Sequence, residues 1–353
     1  MGVLFRVDAG PGVGLGHLQR CLSLACALRE RNVESFFLSN KAPESAERIA
    51  SFNFQMELTH GAPSWGPEDA ALTRAMAGRR EWTTVAVDSL LKGPDYLQSL
   101  CDTGLAVCSM EDLVSYPFPC SLVVNGAAQA NGWEYRSSSG KTRFLLGTEY
   151  ALLRQELWDL PVRPVRPQAR KVLVTLGGAD AHHLMPALLR AIGGLPQQLE
   201  IIAVIGPYFD HREELERTAG SLRSVRLETG LFSLRALMEE ADLAVSAAGQ
   251  TLYELARTGC PTLAFCSPLG LDQKLQLEAV ARSGFALSLG DVTEGDLCAR
   301  VREQASVLLE DASRRAAMAV AGRRLVDGQG ARRVAEAVLA LKPSRIGEVK
   351  VLK

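Results

Sequence analysis

His17 closes a run of alternating glycines, Gly10-Pro-Gly12-Val-Gly14-Leu-Gly16, that follows the apolar segment VLFRVDA (3–9) and precedes the helical pattern HLQRCLSLACALRERN. A strand, a glycine turn and a helix start place backbone N–H groups where they can face an anion. A tight turn that needs positive φ is the plainer reading of the glycines alone. His17 adds chemistry, because in the first turn of a helix the positive end of the dipole disfavours protonation. A neutral imidazole there is suited to removing a proton from water. Asp8, Asp88, Glu111 and Asp112 fall at the ends of predicted strands in the same half of the chain. Carboxylates so placed can orient a water or hold amide and hydroxyl groups, and a helix N-cap is the structural alternative for each. Asp8, directly before the glycine loop, reads as a ligand. In the second half the turn Ser246-Ala247-Ala248-Gly249-Gln250-Thr251 opens the helical pattern TLYELAR, where free N–H groups can hold a diphosphate. Gly177-Gly178-Ala179-Asp180 is a second such loop, weaker by itself because strands often end in turns of this kind.

These residues are positioned by an alternation of short apolar runs with longer helical patterns. In the first half the runs are VLFRVDA, VESFFLS, TTVAVDS (83–89), LAVCSM (105–110) and SLVVN (121–125), with a helix around Asp95–Asp102. LPVRPVRPQAR (160–170) then interrupts the pattern with three prolines, which fix φ and disfavour helix in the preceding residue, so it reads as an extended linker. The alternation restarts with KVLVTLGGAD (171–180), LEIIAVIG, SVRLETG, ADLAVSAAG, PTLAF and FALSLG, and ends in an Ala- and Arg-rich helical tail to about Leu341. Strands alternating with helices imply an α/β protein with parallel sheets covered on both faces. The expected domains are 1–160 and 171–342, with 343–353 as a frayed tail. Two such halves normally bind a ligand in the cleft between them, at the carboxyl ends of the strands.

Composition excludes several classes. The chain has 353 residues, 47% of them hydrophobic, which fits two globular domains and not a disordered chain. Lys and Arg number 39 against 40 Asp and Glu, so nothing marks a nucleic-acid binder. None of the eight Cys forms a CxxC pair, and the five His offer no metal-like spacing beyond His182-His183; no metal and no cofactor are expected. Cys260 in GCPTLAFC typifies thiols in apolar runs, which read as reduced and buried. The N-terminus lacks a signal-peptide core, and no apolar stretch approaches the roughly 20 residues of a membrane span. A cytoplasmic protein without membrane or nucleic-acid partners is expected; a monomer is compatible with the sequence, which does not fix the oligomeric state.

The stretch RVDAGPGVGLGHLQRCLSLA resembles the N-terminal motif of the PseG family, nucleotide-sugar hydrolases of pseudaminic acid biosynthesis. This family includes SpsG-type spore-coat polysaccharide proteins and belongs to the glycosyltransferase-B superfamily that contains MurG. The similarity continues through VAVDS (85–89), Glu111-Asp112, VVN (123–125), GTEYALLRQEL (147–157), LVTLGGAD (173–180), VSAAGQTLYELARTGCP (245–261) and Asp272-Gln273. It implies two Rossmann-like domains with the active site in the cleft between them and the nucleotide on the second. It assigns catalysis to His17 and Asp8, and substrate contacts to Gly14, Gly16, Arg20, Asp88, Glu111, Asp112, Asn125 and Tyr150, the last of which could equally pack. Nucleotide contacts fall to Gly177, Gly178, Ser246, Ala248, Gly249, Gln250, Thr251, Glu254, Asp272 and Gln273, with Glu254 on the ribose hydroxyls; a favourable charge near a helix start is the other reading of Glu254. The implied reaction is metal-independent, inverting hydrolysis of a UDP-sugar, by resemblance UDP-2,4-diacetamido-2,4,6-trideoxy-β-L-altropyranose. A glycosyltransferase of the same fold and a non-catalytic sugar-nucleotide binder are the alternatives. The chain departs from the family pattern at Ser89-Leu90, where an aromatic residue is usual, at His182-His183, where Asn is common, and at Asp272, where Asn is usual.

Overall fold

Each apolar run named above is a strand in the computed structural model, which describes residues 2–10, 13–40, 43–59, 64–267 and 271–343. The first sheet contains β1 (Gly2–Val7), β2 (Glu34–Ser39), β3 (Gln55–Leu58), β4 (Thr84–Asp88), β5 (Ala106–Met110), β6 (Leu122–Asn125) and β7 (Arg143–Leu146). Its order is β3-β2-β1-β4-β5-β6-β7, and every pairing is parallel. The second contains β8 (Lys171–Thr175), β9 (Glu200–Ile205), β10 (Val225–Thr229), β11 (Leu243–Ala247), β12 (Thr262–Cys266) and β13 (Ala286–Asp291). Its order is β10-β9-β8-β11-β12-β13, again all parallel. Central strands such as β1, β4 and β5 are buried along their whole length, as expected where helices cover both faces. The two strands the apolar pattern did not reveal, β3 and β7, are the edges of the first sheet. Each has four residues and is largely half-exposed, so each lacks a long apolar run.

The chain divides into one unit of residues 1–155 and 329–353 and another of residues 156–328. This differs from the expected 1–160 and 171–342 at both ends, for identifiable reasons. The Pro-rich segment has no helix or strand but is laced to the second unit: Arg163 donates to the Ala241 carbonyl at 2.6 Å and Arg166 to Asp242 at 2.8 Å. The buried Arg315 donates to the carbonyls of Arg166 and Pro167 at 2.7 and 3.1 Å. The helix Gly330–Leu339 joins the first unit. Its buried face presents Ala331, Val334, Ala335 and Val338, and a Cβ on Gly330 would lie 2.3 Å from the Ala151 carbonyl oxygen. Arg332 pairs with Glu30 at 2.9 Å and Arg31 with Glu336 at 2.6 Å. Apart from Pro343, the expected tail lies outside the described residues. None of the eight Cys is in a disulfide, and burial pushes the Cys108 and Cys260 thiols up to about 12.

A buried charge network anchors the first sheet. Arg6, on β1, has no solvent exposure and donates to Asp69 at 2.9 and 2.5 Å and to Asp8 at 2.5 Å. The Tyr96 hydroxyl and the Trp65 N–H also donate to Asp69, at 2.9 and 3.1 Å, and the guanidinium lies 4.3 Å from the Trp65 ring centroid. Removing one member of such a pair leaves a buried charge uncompensated. Arg6→Met is therefore expected to destabilise the first unit by about 3–5 kcal/mol, read from urea unfolding followed by circular dichroism. A loss below 1 kcal/mol would show that the network contributes little.

Candidate active site

In a doubly wound sheet, ligands bind outside the carboxyl ends of the strands where the strand order reverses. In the first sheet that reversal lies between β1 and β4. The loop leaving β1 is closed by reciprocal Gly10–Gly14 backbone hydrogen bonds of 2.8 and 3.2 Å. Gly10 and Gly14 take φ values of +133° and +80°, a region in which a side chain would be strained; Pro11 and Gly12 lie outside the described residues. The helix Gly16–Arg29 starts without a side-chain cap and without an acidic residue in its first turn, and a Cβ on Gly16 would meet no atom within 4 Å. Among the described residues, open space therefore adjoins Gly16 at this helix start.

His17 sits in that first turn, and its Nδ1 lies 2.7 Å from Oδ1 of Asp88, the last residue of β4. Arg20 follows one turn later, on the same helix face. Its Nε reaches Asp88 Oδ2 at 3.0 Å, its Nη2 reaches Asp88 Oδ1 and Asp112 Oδ2 at 2.8 Å each, and its Nη1 donates to Asp112 Oδ1. Nη2 also lies 2.9 Å from His17 Nδ1. A guanidinium Nη carries two hydrogens, and both go to the carboxylates. None remains for Nδ1, which therefore bears its own proton and donates it to Asp88; in a neutral ring the lone pair is then on Nε2. Asp88 is wholly buried, and burial alone would raise its carboxyl pKa; the charge of Arg20 and the His17 contact instead hold it well below the usual range. Asp112 is held low in the same contest, burial against Arg20. Both carboxylates are thus engaged by Arg20, and the helix after β4 has Gly93 at its start and no side-chain cap.

Lys92 was not among the residues singled out in the sequence, where it is a lone Lys after a strand end. Its buried Nζ donates to the Ser89 and Met110 carbonyls, at 2.7 Å each, and so ties the end of β4 to the end of β5. It lies 3.2 Å from Glu111, which also accepts from Ser109 Oγ. Burial pushes the Glu111 carboxyl up, against the pull of Lys92. Glu111 is thus held by Lys92 and Ser109. Asp8 stands in the separate Arg6–Asp69 network, accepting also from the Asn40 N–H at 3.0 Å. The Asn125 side chain donates to Tyr135 and accepts from the Ala127 N–H, 3.0 Å each. Tyr150 is half-buried in a single turn of 3-10 helix, Thr148–Tyr150. At the departure from the family pattern, Ser89 accepts from the Leu91 N–H at 3.0 Å and Leu90 is exposed.

In the second sheet the order reverses between β8 and β11, and the two candidate loops leave the carboxyl ends of those two strands. Gly177 takes φ +83° with open space around it. Asp180 accepts from the N–H groups of Leu184 and Met185 at 2.8 Å each, which makes it a helix cap. In the β11 turn the Ala248 N–H is already committed to the Phe265 carbonyl at 2.7 Å, and Ser246 Oγ donates to the Ala247 carbonyl. Gly249, Gln250 and Thr251 remain as the turn's candidate anion donors, at a helix start with no side-chain cap. Glu254 is buried in the first turn of the helix Thr251–Thr258, and Asp272 and Gln273 are half-buried in the helix Leu271–Arg282.

Comparison with solved structures decides the fold. The chain superposes on Acinetobacter baumannii MurG with a TM-score of 0.69 at 16% identity, covering 97% of this chain and 100% of that one. The fold is of the glycosyltransferase-B type. A second similar structure, Anabaena HepE in complex with UDP and glucose, has a TM-score of 0.60 at 14% identity, over 97% of this chain and 100% of that one. Among curated proteins, an uncharacterized protein of Methanocaldococcus jannaschii is 21% identical over 74% of this chain and 55% of its own length. The spore coat polysaccharide biosynthesis protein SpsG of Bacillus subtilis is 28% identical over 55% of this chain and 58% of its own. A Gloeobacter violaceus UDP-N-acetylglucosamine–N-acetylmuramyl-(pentapeptide) pyrophosphoryl-undecaprenol N-acetylglucosamine transferase is 28% identical over 57% of this chain and 56% of its own. The chain thus spans little more than half the length of the curated relatives it matches. No protein-family model matches the chain. No helix among the described residues is long and apolar enough to cross a membrane.

Two measurements test this geometry. In ¹⁵N NMR, the neutral form of His17 is expected to carry its proton on Nδ1; the opposite tautomer would contradict the hydrogen count. The second is the pH dependence of Arg20→Leu. In the wild type, the depressed carboxylates add stability above the unfolded value of about 3.9, and that stability is lost as pH falls through their folded values. Without Arg20, burial prevails and the folded state retains protons the unfolded state has released, so stability falls as pH rises. The deficit relative to wild type is expected to be smallest at the acid end, below the carboxylates' folded values, to be already substantial near pH 4, and to reach about 3–5 kcal/mol at pH 7. A deficit independent of pH in urea unfolding would show that Arg20 acts by packing alone.

Proposed function

We propose that the protein is an enzyme that transfers the glycosyl group of a UDP-sugar to an acceptor hydroxyl, with His17 as general base. The observation that carries this is the His17–Asp88 contact of 2.7 Å beside Arg20, which puts the proton on Nδ1 and, in a neutral ring, leaves Nε2 to accept one. Nε2 takes the proton of the attacking hydroxyl, the oxygen bonds to the anomeric carbon with inversion, and the bond from that carbon to the diphosphate oxygen breaks. Asp88 holds the ring in its tautomer and stabilises the imidazolium that forms. The departing diphosphate carries the charge that backbone N–H groups of the 249–251 turn would meet, an interaction commonly worth about 2.7–4 kcal/mol per donor. Glu254 would hold the ribose hydroxyls. In this reading the first unit does the proton chemistry and the second holds the nucleotide. The transferase reading draws support from the Gloeobacter violaceus relative, whose name states such a transfer.

A second reading keeps the same base and replaces the acceptor by water, giving a UDP-sugar hydrolase acting on a diacetamido-trideoxy sugar. The GxGHxxR stretch around His17 and Arg20 and the match to SpsG favour it. One assay separates the two: UDP release measured over a panel of UDP-sugars, with and without candidate hydroxyl acceptors. Release that requires an acceptor supports the transferase; equal release without one supports the hydrolase. In either case His17→Asn is expected to lower kcat by roughly 10²–10⁴ with UDP affinity almost unchanged. Near wild-type turnover in that variant would overturn the role of His17.

A further inference from the structure

The loops that follow β8 and β9 meet in a second cluster that the proposed reaction does not use. The Tyr208 N–H donates to the Gly178 carbonyl at 2.9 Å, and a Cβ on Gly206 would lie 2.4 Å from the carbonyl oxygens of Gly177 and Gly178, so only glycine permits this approach. Farther along, the same two loops bring His183, Asp210 and His211 together, with one potential ligand atom from each within 4.8 Å of the others. His183 takes φ +54°, a left-handed conformation uncommon for a residue with a side chain. The imidazole rings of His183 and His211 have centroids only 3.2 Å apart, tilted by 31°. Aromatic pairs that attract through their faces and edges settle at about 4.5–7 Å. His211 Nε2 is shielded from solvent and has no hydrogen-bond partner, although Oδ1 of Asp210 lies directly against it. A proton shared with that carboxylate would give a directed hydrogen bond, and none is formed. His182 takes no part, its Nε2 lying 3.0 Å from the Ser267 hydroxyl.

We infer that His183, Asp210 and His211 form a binding site for a divalent transition-metal ion, with Zn²⁺ the best fit. Two imidazole nitrogens and one carboxylate oxygen are a donor set that suits Zn²⁺ and its neighbours, whereas Mg²⁺ and Ca²⁺ favour oxygen alone. An ion there gives the three converging ligand atoms of His183, Asp210 and His211 a common partner. Three protein ligands leave a tetrahedral ion one position for water. The ion clips the β8 loop to the β9 loop and so stiffens the Gly177–Gly178 turn from its far end.

The test uses the full chain, stripped with a chelator and titrated with Zn²⁺ in competition with a chromophoric chelator. One equivalent is expected to bind, and Co²⁺ in its place is expected to give the visible absorption of a tetrahedral site. His183→Ala, His211→Ala and Asp210→Asn should each weaken Zn²⁺ by about tenfold or more, with unchanged circular dichroism, while His17→Asn should bind as the wild type does. Absence of a stoichiometric site, or binding that survives the double His183→Ala/His211→Ala variant, would overturn the inference. Because the readout is metal binding, the result does not depend on which glycosyl acceptor the protein uses.

Discussion

Arg20 is the constraint on which the rest of the candidate site depends. Two carboxylates at the ends of adjacent strands would repel each other and resist burial, and one guanidinium with hydrogens directed at both makes the arrangement stable. The same saturation of Arg20 by carboxylates fixes the proton on His17 Nδ1. One arginine thereby determines which imidazole nitrogen carries the proton. Lys92 performs the matching task on the backbone, holding the ends of β4 and β5 together through two carbonyls.

The two sheets solve the same geometric problem with different chemistry. Each reverses its strand order once, and each sets two loops beside that reversal. In the first unit those loops carry titratable side chains held in one orientation by hydrogen bonds. In the second they carry glycines and a helix start, which suit backbone donors and an anion. This contrast follows from residue type: small residues let a backbone approach a phosphate, whereas proton transfer needs a side chain held in one orientation.

Much of this was legible in the sequence because central parallel strands are long, apolar and bounded by turns. Edge strands β3 and β7 escaped because only half their surface is buried. At the site, the residue types and their places at strand ends were readable, but their pairing was not. Asp88 and Asp8 look alike in sequence, yet one holds His17 and the other is held by Arg6. Here a signal was available: side chains two apart on a strand share a face, and an arginine within an apolar strand requires a nearby acid. Lys92 gave no signal, since its role is to join two backbones that only the sheet order makes adjacent. His183 and His211 are separated by a helix and a strand with their connecting loops, so no spacing rule could link them.

The return of the helix Gly330–Leu339 to the first unit has a consequence for synthesis. The second unit is one uninterrupted stretch, so all its contacts are available once about residue 328 has left the ribosome. The first unit begins the chain but lacks a helix until the last of its residues emerge, and Ala151 and Glu30 meet their partners only then. Domains usually complete folding in the order in which they are made. In this chain the unit that starts first is the one that finishes last, and its half with His17 must wait, unfinished, through the synthesis of the other.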